Sequence, residues 1–380
     1  MLLLLFSGLL LFANFGISEH DEFINSTFFE RRKHISTDGP YIIYDEKEGN
    51  RVIEIDSKFS IKEYDLLNKK QFDVHVYSFH KSVSGNFPVK LKDTIAIPPS
   101  KYDLNSDILV LSDIEGNWYA FKTLLLNAGV MDNNYNWIFG NGHLVLLGDF
   151  MDRGLNVTQI LWLIYKLEDE AEQTGGKVHF ILGNHEIMNL EGSIYHVRSK
   201  YKKLAKKLGV GYSTYLLGKN SELGRWLRSK NTIEKIGEYL FVHGGIGAEM
   251  DMKKMDMDTI NSQVRQYIQN PVLEQKDEFL FGKAGPLWYR GYIRDRGDSI
   301  SNHIENVLNF YNVNKIIVGH STVSRIKSYC NDKVIDVDVH FPSDSKDKTT
   351  IGQCLLIKKS GEYYRVLSNG EKELLFEDKF

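Results

Sequence analysis

One short pattern occurs five times along this chain: a run of Val, Ile, Leu or Phe closes on a small residue and a side chain able to bind a metal. The instances are DILVLSD ending at Asp113, HLVLLGD at Asp149, KVHFILGN at Asn184, EYLFVHGG carrying His243, and KIIVGHS carrying His320. Runs this short and this apolar suit strands buried on both faces. Amphipathic segments lie between several of them, as in NWYAFKTLLLNAG, VTQILWLIYKLEDEAEQ and SNHIENVLNFYN. Strands alternating with helices imply a layered α/β domain, where ligands gather outside the carboxyl ends of the strands. The five polar residues fall at those ends. Singly, each is a weak signal, because Asp, Asn and Gly are ordinary turn formers and a lone His is more often structural. Together they match what a hard divalent cation requires, O and N donors converging from distant parts of the chain.

Size and charge narrow the rest. With 380 residues and 42% hydrophobic content, one large core plus a smaller accessory unit is expected. The 47 basic and 50 acidic residues are mixed without a long run of either sign, which argues against a nucleic-acid partner. Leu2 to Phe15 is almost wholly apolar and resembles a secretory signal peptide, with Gly16 and Ser18 as candidate cleavage residues. Its start lacks the usual Lys or Arg, so a truncated longer signal and an uncleaved anchor are the alternatives. The expectation is export to the periplasm or exterior, with residues 1–18 as a leader, cleaved or retained as a membrane anchor, and no membrane span beyond it.

Residues 19–105 read as a β-rich accessory segment, with a hairpin around Glu48-Gly49-Asn50, alternation in QFDVHVYSF and a turn at Gly85-Asn86-Phe87-Pro88. Pro98-Pro99-Ser100 and the polar YDLNSD after it mark a boundary, which puts the catalytic domain at 106–380. Cys330 and Cys354 lie in two late strand-like segments and could pair if those strands were neighbours; two unpaired, buried thiols are expected.

The motifs in sequence order are SDIEGN (112–117), GDFMDRG (148–154), GNHE (183–186), HGG (243–245) and GHS (319–321). The series resembles that of the PPP-type phosphoprotein phosphatases among the calcineurin-like metallophosphoesterases, and GRWLRSK and GPLWYRGY are most similar to its Shewanella-like branch. The resemblance covers roughly Ser106 to Asp338 and leaves the strand-rich N-terminal segment unexplained. It implies an α/β (α+β) fold, a layered β-sandwich core flanked by helices, and two divalent metal ions, Mn foremost with Mg, Fe and Zn as alternatives. By motif, Asp113 would bind the first metal, Asp149 would bridge both, and Asn184, His243 and His320 would complete the second. A water shared between two cations becomes hydroxide-like near neutral pH and would be the nucleophile. His185 matches the general acid, with Asp152 orienting its ring, and Arg153 and Arg290 match two phosphate clamps. For Arg290 a structural role is nearly as good a reading.

Glu115 departs from the family, which usually has His at that position. It could bind the first metal, act from behind the ligands, or mark a degraded site; ligation is expected, because the spacing from Asp113 is kept and carboxylate is a competent donor. An added anionic ligand favours Mn or Mg over Zn. His143, His179, His196, His303 and His340 fall outside the motifs and are read as structural or surface groups. The basic stretch Arg198 to Gly209 is read as a solvated helix face, and Trp288 and Tyr289 as pocket or core. The resemblance implies a phosphatase acting on phosphomonoesters, of phosphoserine, phosphothreonine or phosphotyrosine proteins or of small molecules. The alternatives are a phosphodiesterase or dinucleoside polyphosphate hydrolase of the same fold, and a binding module that has lost turnover.

Overall fold

Alternation along the buried strands decides the architecture of the computed structural model, which describes residues 37–378 apart from 48, 79–83, 273–274 and 342–351. The expected leader at 1–18 lies outside the described residues. One six-stranded sheet has the order β17 (Lys372–Glu377), β16 (Glu362–Leu367), β15 (Gln353–Ile357), β7 (Ile108–Leu111), β8 (His143–Leu146) and β9 (Lys177–Phe180). The other has the order β13 (Lys327–Tyr329), β14 (Val334–Asp336), β12 (Lys315–Val318), β11 (Tyr239–Val242), β10 (Ile233–Ile236) and β6 (Lys101–Tyr102). Strands β7, β8 and β9 are mutually parallel, as are β11, β12 and β14.

Successive side chains of a strand point to opposite faces, so each central strand feeds two layers. Ile108 and Val110 of β7 join Phe241 of β11 and Ile317 of β12 in a cluster drawn from both sheets. That cluster is the inside of a β-sandwich, and Tyr239 and Tyr363 meet across it through their hydroxyls at 2.8 Å. Leu109 and Leu111 of β7 face the opposite way, into a larger cluster with the helices. Those helices include α1 (Trp118–Asn127), α2 (Val157–Gln173), α3 (Asn184–Leu190), α4 (Ser199–Leu208), α5 (Glu222–Arg228), α6 (Met257–Gln269) and α7 (Asp298–Tyr311). Among the described residues no helix is long and apolar enough to cross a membrane.

The N-terminal strands form a three-stranded sheet, β1 (Asp38–Ile43), β2 (Arg51–Ile55) and β3 (Ile61–Asp65), and a hairpin of β4 (Gln71–Val76) with β5 (Gly85–Lys90). Tyr41, Val52, Phe72 and Phe87 from these strands are buried in the same cluster as the helices. Polar contacts fix the docking: Trp162 donates to the Pro40 carbonyl at 2.9 Å and Lys200 pairs with Asp38 at 3.5 Å. The turn expected at Gly85-Asn86-Phe87-Pro88 is instead the start of β5. Its alternation turns Phe87 inward, where the ring stacks on Trp118 at 6.0 Å, and burial of that ring outweighs the local turn signal of Gly and Pro.

The basic stretch is a solvated face at Lys203, Lys206 and Lys207, while Tyr201, Leu204 and Ala205 of α4 face the core; Lys200 departs from the reading, buried against Asp38. Both cysteines are free, Cys354 buried in β15 and Cys330 half-buried after β13. On α2, Glu168 is buried against Lys230, Lys92 at 3.1 Å and the Trp226 N–H at 2.6 Å. Burial would raise this carboxyl, yet the two ammonium groups hold it at about 2. Its stabilising contribution is therefore present above the unfolded-state value of about 4.3 and is lost as pH falls toward the folded value. The thermal midpoint should fall more steeply between about pH 5 and 2 in the wild type than in Glu168→Gln, as followed by circular dichroism.

Candidate metal centre

Each sheet delivers three donors to one edge. Asp113, Asp149 and Asn184 follow β7, β8 and β9, while His243, His320 and Asp338 follow β11, β12 and β14. Within this set, Asp149, His243 and His320 bring ligand atoms within 4.8 Å of one another, all three buried. Asn184 joins them, its Oδ1 lying 3.0 Å from His243 Nε2.

The backbone holds an unusual conformation to achieve this. Asp113, Glu115, Asp149, Asp152, Arg153 and His320 all have positive φ, between 48° and 70°. Such residues cost on the order of 1 kcal/mol each and persist only where surrounding structure enforces them, which happens mainly at functional sites. Here the enforcing bonds are visible: Asp113 N–H donates to Gly148 O at 3.0 Å and Glu115 N–H to Asp149 O at 2.9 Å, zipping the first two motif loops together. The loops touch so closely that a Cβ on Gly154 would lie 2.3 Å from the Gly116 carbonyl carbon, and one on Gly183 would lie 2.3 Å from Asp149 Oδ1.

Protonation follows from the partners. His243 Nδ1 lies 2.6 Å from the Leu147 carbonyl, which can only accept, so Nδ1 carries the proton. Its Nε2 then faces Asp149 Oδ2 at 3.2 Å and Asn184 Oδ1 at 3.0 Å. Burial would lower the proton affinity of His243, yet Asp149 raises it to about 10, so this buried cluster of oxygens calls for positive charge, a proton or a metal ion, while His320 Nε2 beside it is buried with no hydrogen-bond partner. The donor set therefore fits a divalent metal. Burial alone would raise the Asp149 carboxyl, but His243 and His185 hold it well below the usual carboxylate range.

His185, the second residue of α3, has its backbone N–H on Asp149 Oδ1 at 2.9 Å and its Nδ1 on Asp152 Oδ2 at 2.6 Å. Burial lowers its proton affinity, yet Asp149 and Asp152 raise it above the ordinary histidine value. Its Nε2 is 3.9 Å from Asp149 Oδ2. Arg153 forms an ion pair with Glu115, so the Glu115 carboxylate is on the arginine and outside the Asp149, His243 and His320 cluster. Arg290 reaches the site from the connection between β11 and β12, donating to the His320 carbonyl and approaching its Nδ1 at 3.3 Å. Trp288 packs edge-on against the His320 ring at 5.5 Å, whereas Tyr289 packs with Tyr292.

Three residues the sequence reading left out belong to this neighbourhood. Glu186 is fully buried and accepts from the N–H groups of Asp149 (2.7 Å), Phe150 (2.9 Å), Met151 (3.1 Å) and Gly183 (2.9 Å), which fixes the loop carrying Asp149. Asp338 is 3% exposed, accepts from Thr322 Oγ1 at 3.0 Å, and after burial is the chief influence raising Asp113. The run KVIDVDV was its available signal, a sixth apolar strand closing on carboxylates. His196 sets its ring 4.9 Å from that of His185 and nothing in the sequence pointed to it. The other histidines outside the motifs are placed away from the centre. His143 and His179 share a buried bond of 2.9 Å that continues to Glu234 at 2.6 Å; His303 bonds the Ile246 carbonyl at 2.7 Å; and His340 is exposed.

Residues 106–324 match the calcineurin-like phosphoesterase family model. The chain is 26% identical over 323 residues to Shewanella-like protein phosphatase 2 of Arabidopsis thaliana, covering 70% of this chain and 79% of that one. Shewanella-like protein phosphatase 1 of Plasmodium berghei is 27% identical over 251 residues, 63% of this chain and 69% of that one. Among solved structures, the cold-active protein-tyrosine phosphatase of a psychrophilic Shewanella superposes with a TM-score of 0.78 at 33% identity, over 90% of this chain and 99% of that one.

Proposed function

The chain belongs to the calcineurin-like phosphoesterase family and is a metal-dependent phosphatase, and we propose that its substrates are phosphorylated proteins and its metals two Mn ions. The observation that carries this reading is the convergence of Asp149, Asn184, His243 and His320 beside the His185–Asp152 pair. Asp149, Asn184, His243 and His320 would hold one metal, and Asp113 with Asp338 and Asp149 the other. When bound, the pair supplies an acidic water near neutral pH and charge to stabilise the transferred phosphoryl group.

The chain's own groups supply the rest. His185 keeps its proton because Asp152 and Asp149 favour the imidazolium, so it can protonate the departing oxygen from Nε2 while Nδ1 stays on Asp152. Arg153 is held at the mouth by Glu115, and an incoming phosphate offers it two further oxygens, so binding exchanges one anion for another. Glu115 thereby acts through Arg153. Arg290 supports the site through the His320 carbonyl and presents the rest of its guanidinium for phosphate. His185→Ala is expected to lower kcat on phosphopeptides by roughly 10²–10⁴ and to affect aryl phosphates with acidic leaving groups less, because those need little protonation.

The neighbour at 33% identity is named a protein-tyrosine phosphatase, which puts phosphotyrosine first among the side chains to test. The deciding assay offers the full chain phosphotyrosyl, phosphoseryl and phosphothreonyl peptides, a diester chromogen and a dinucleoside polyphosphate, each with Mn, Mg, Fe, Zn or chelator. Metal-dependent release of phosphate from the peptides is expected. Faster turnover of the diester or the dinucleotide would replace the protein-phosphatase reading.

A further inference from the structure

A cavity of about 520 Å³ lies between α5, α6 and the segment before β6, and its walls carry Lys219, Arg225, Arg228 and Arg265 with no carboxylate among the lining residues. Such a concentration of cations is out of proportion for a chain whose formal net charge is -3. The volume falls in the range of small-molecule sites. Ile95 and Ile97 form an apolar wall, and Ile97 is 62% exposed.

Arg228 is the informative residue. It is 6% exposed, and its guanidinium donates to the carbonyls of Ile268 (3.1 Å), Leu217 (2.6 Å), Gly224 (3.1 Å) and Leu190 (3.3 Å). All four acceptors are neutral, and among the described residues no carboxylate pairs with it. A buried charge without a counter-ion is unfavourable, and burial accordingly pulls its pKa down to about 10. The neighbouring cations are only partly neutralised. Arg225 lies 3.6 Å from Glu222 and stacks on Tyr44 at 4.9 Å; Arg265 holds the Asn231 amide oxygen, with Asp258 and Glu234 near enough to act on its charge but in no ion pair with it; and Lys219 has a long 3.4 Å contact with Asn270.

We propose that this cavity binds a small polyanion, a compact molecule bearing two or more phosphate groups. The cationic walls take the phosphates, the ligand supplies the counter-charge that Arg228 lacks, and the Ile95 and Ile97 wall receives any apolar part. The site is separate from the metal centre but mechanically linked to it, because Arg228 holds the carbonyl of Leu190, the last residue of the helix that begins with Asn184 and His185. That helix is seven residues long, so its two ends are roughly 10 Å apart.

The test is isothermal titration of the metal-loaded full chain with inorganic pyrophosphate and with ADP. A binding event is expected that weakens with salt, survives in Asp149→Asn, and is weakened at least tenfold, about 1.4 kcal/mol, by combining Lys219→Gln with Arg265→Gln. Arg265→Lys, which keeps the charge, should retain most of the affinity. An ADP event that is the tighter and is weakened by Ile97→Ser assigns the ligand to organic phosphates; equal binding of the two assigns it to inorganic ones. The proposal is overturned if the double variant titrates like the wild type, or if every event disappears in Asp149→Asn. Survival in that variant also keeps this result independent of whether the catalytic reading holds.

Discussion

Asp149→Asn is expected to reduce phosphomonoester hydrolysis by three orders of magnitude or more, about 4 kcal/mol of transition-state stabilisation, while leaving the fold intact. The size of the effect follows from how much converges on this carboxylate: His243 Nε2 at 3.2 Å, the His185 N–H at 2.9 Å and the remaining metal donors. An amide keeps the shape but removes the negative charge that offsets cation repulsion and sustains the His185 imidazolium. The backbone should tolerate the change, because Asp149 has φ of 58° and Asn is among the few residues at ease there. Three measurements decide: kcat, metal content of the purified protein, and thermal midpoint. Activity within tenfold of wild type at unchanged metal content would remove Asp149 from the centre.

Glu186→Ala is the second large effect, and it acts on stability first. Four backbone N–H groups, those of Asp149, Phe150, Met151 and Gly183, lose their acceptor in a place where water does not reach. Leaving buried donors unsatisfied costs about 1–3 kcal/mol each before relaxation, so a net loss of roughly 3–5 kcal/mol is expected. It should appear as a lower urea midpoint with an unchanged slope. Activity should fall with it, since the same bonds aim the loop that carries Asp149. Glu186→Gln, which keeps one acceptor oxygen, should lie between. An Ala variant that unfolds at the wild-type urea concentration would show that the loop holds itself.

Much of the fold was legible locally. The segment VTQILWLIYKLEDEAEQ is helix α2 from end to end, and the alternation read in QFDVHVYSF is the buried face of β4. A side chain's periodicity reports which face its segment buries, and that is a property of neighbouring residues only. The Gly85 to Pro88 turn was misread for the same reason: composition signals a turn, but the pairing with β4 and the packing of Phe87 on Trp118 that make it a strand are set by contacts outside the segment. At the site, the ten residues chosen from the motifs all reach one edge of the sandwich, yet their partners were not readable. Glu115 lies on Arg153 and Arg290 on the His320 carbonyl, and the bond network of Glu186 appears only when β8 and β9 lie side by side.

The sequence by itself determined that short buried strands end in oxygen and nitrogen donors, because hydrophobicity, small residues and liganding side chains follow one another along the backbone. Tertiary structure alone decided which donors meet. Strand order brings three from each sheet to a common edge, Asp338 among them, and folding gathers Lys219, Arg225, Arg228 and Arg265 around a cavity elsewhere. The physical reason is that charge density and desolvation depend on distances through space, and pairing across sheets sets those distances without leaving a local trace in the chain.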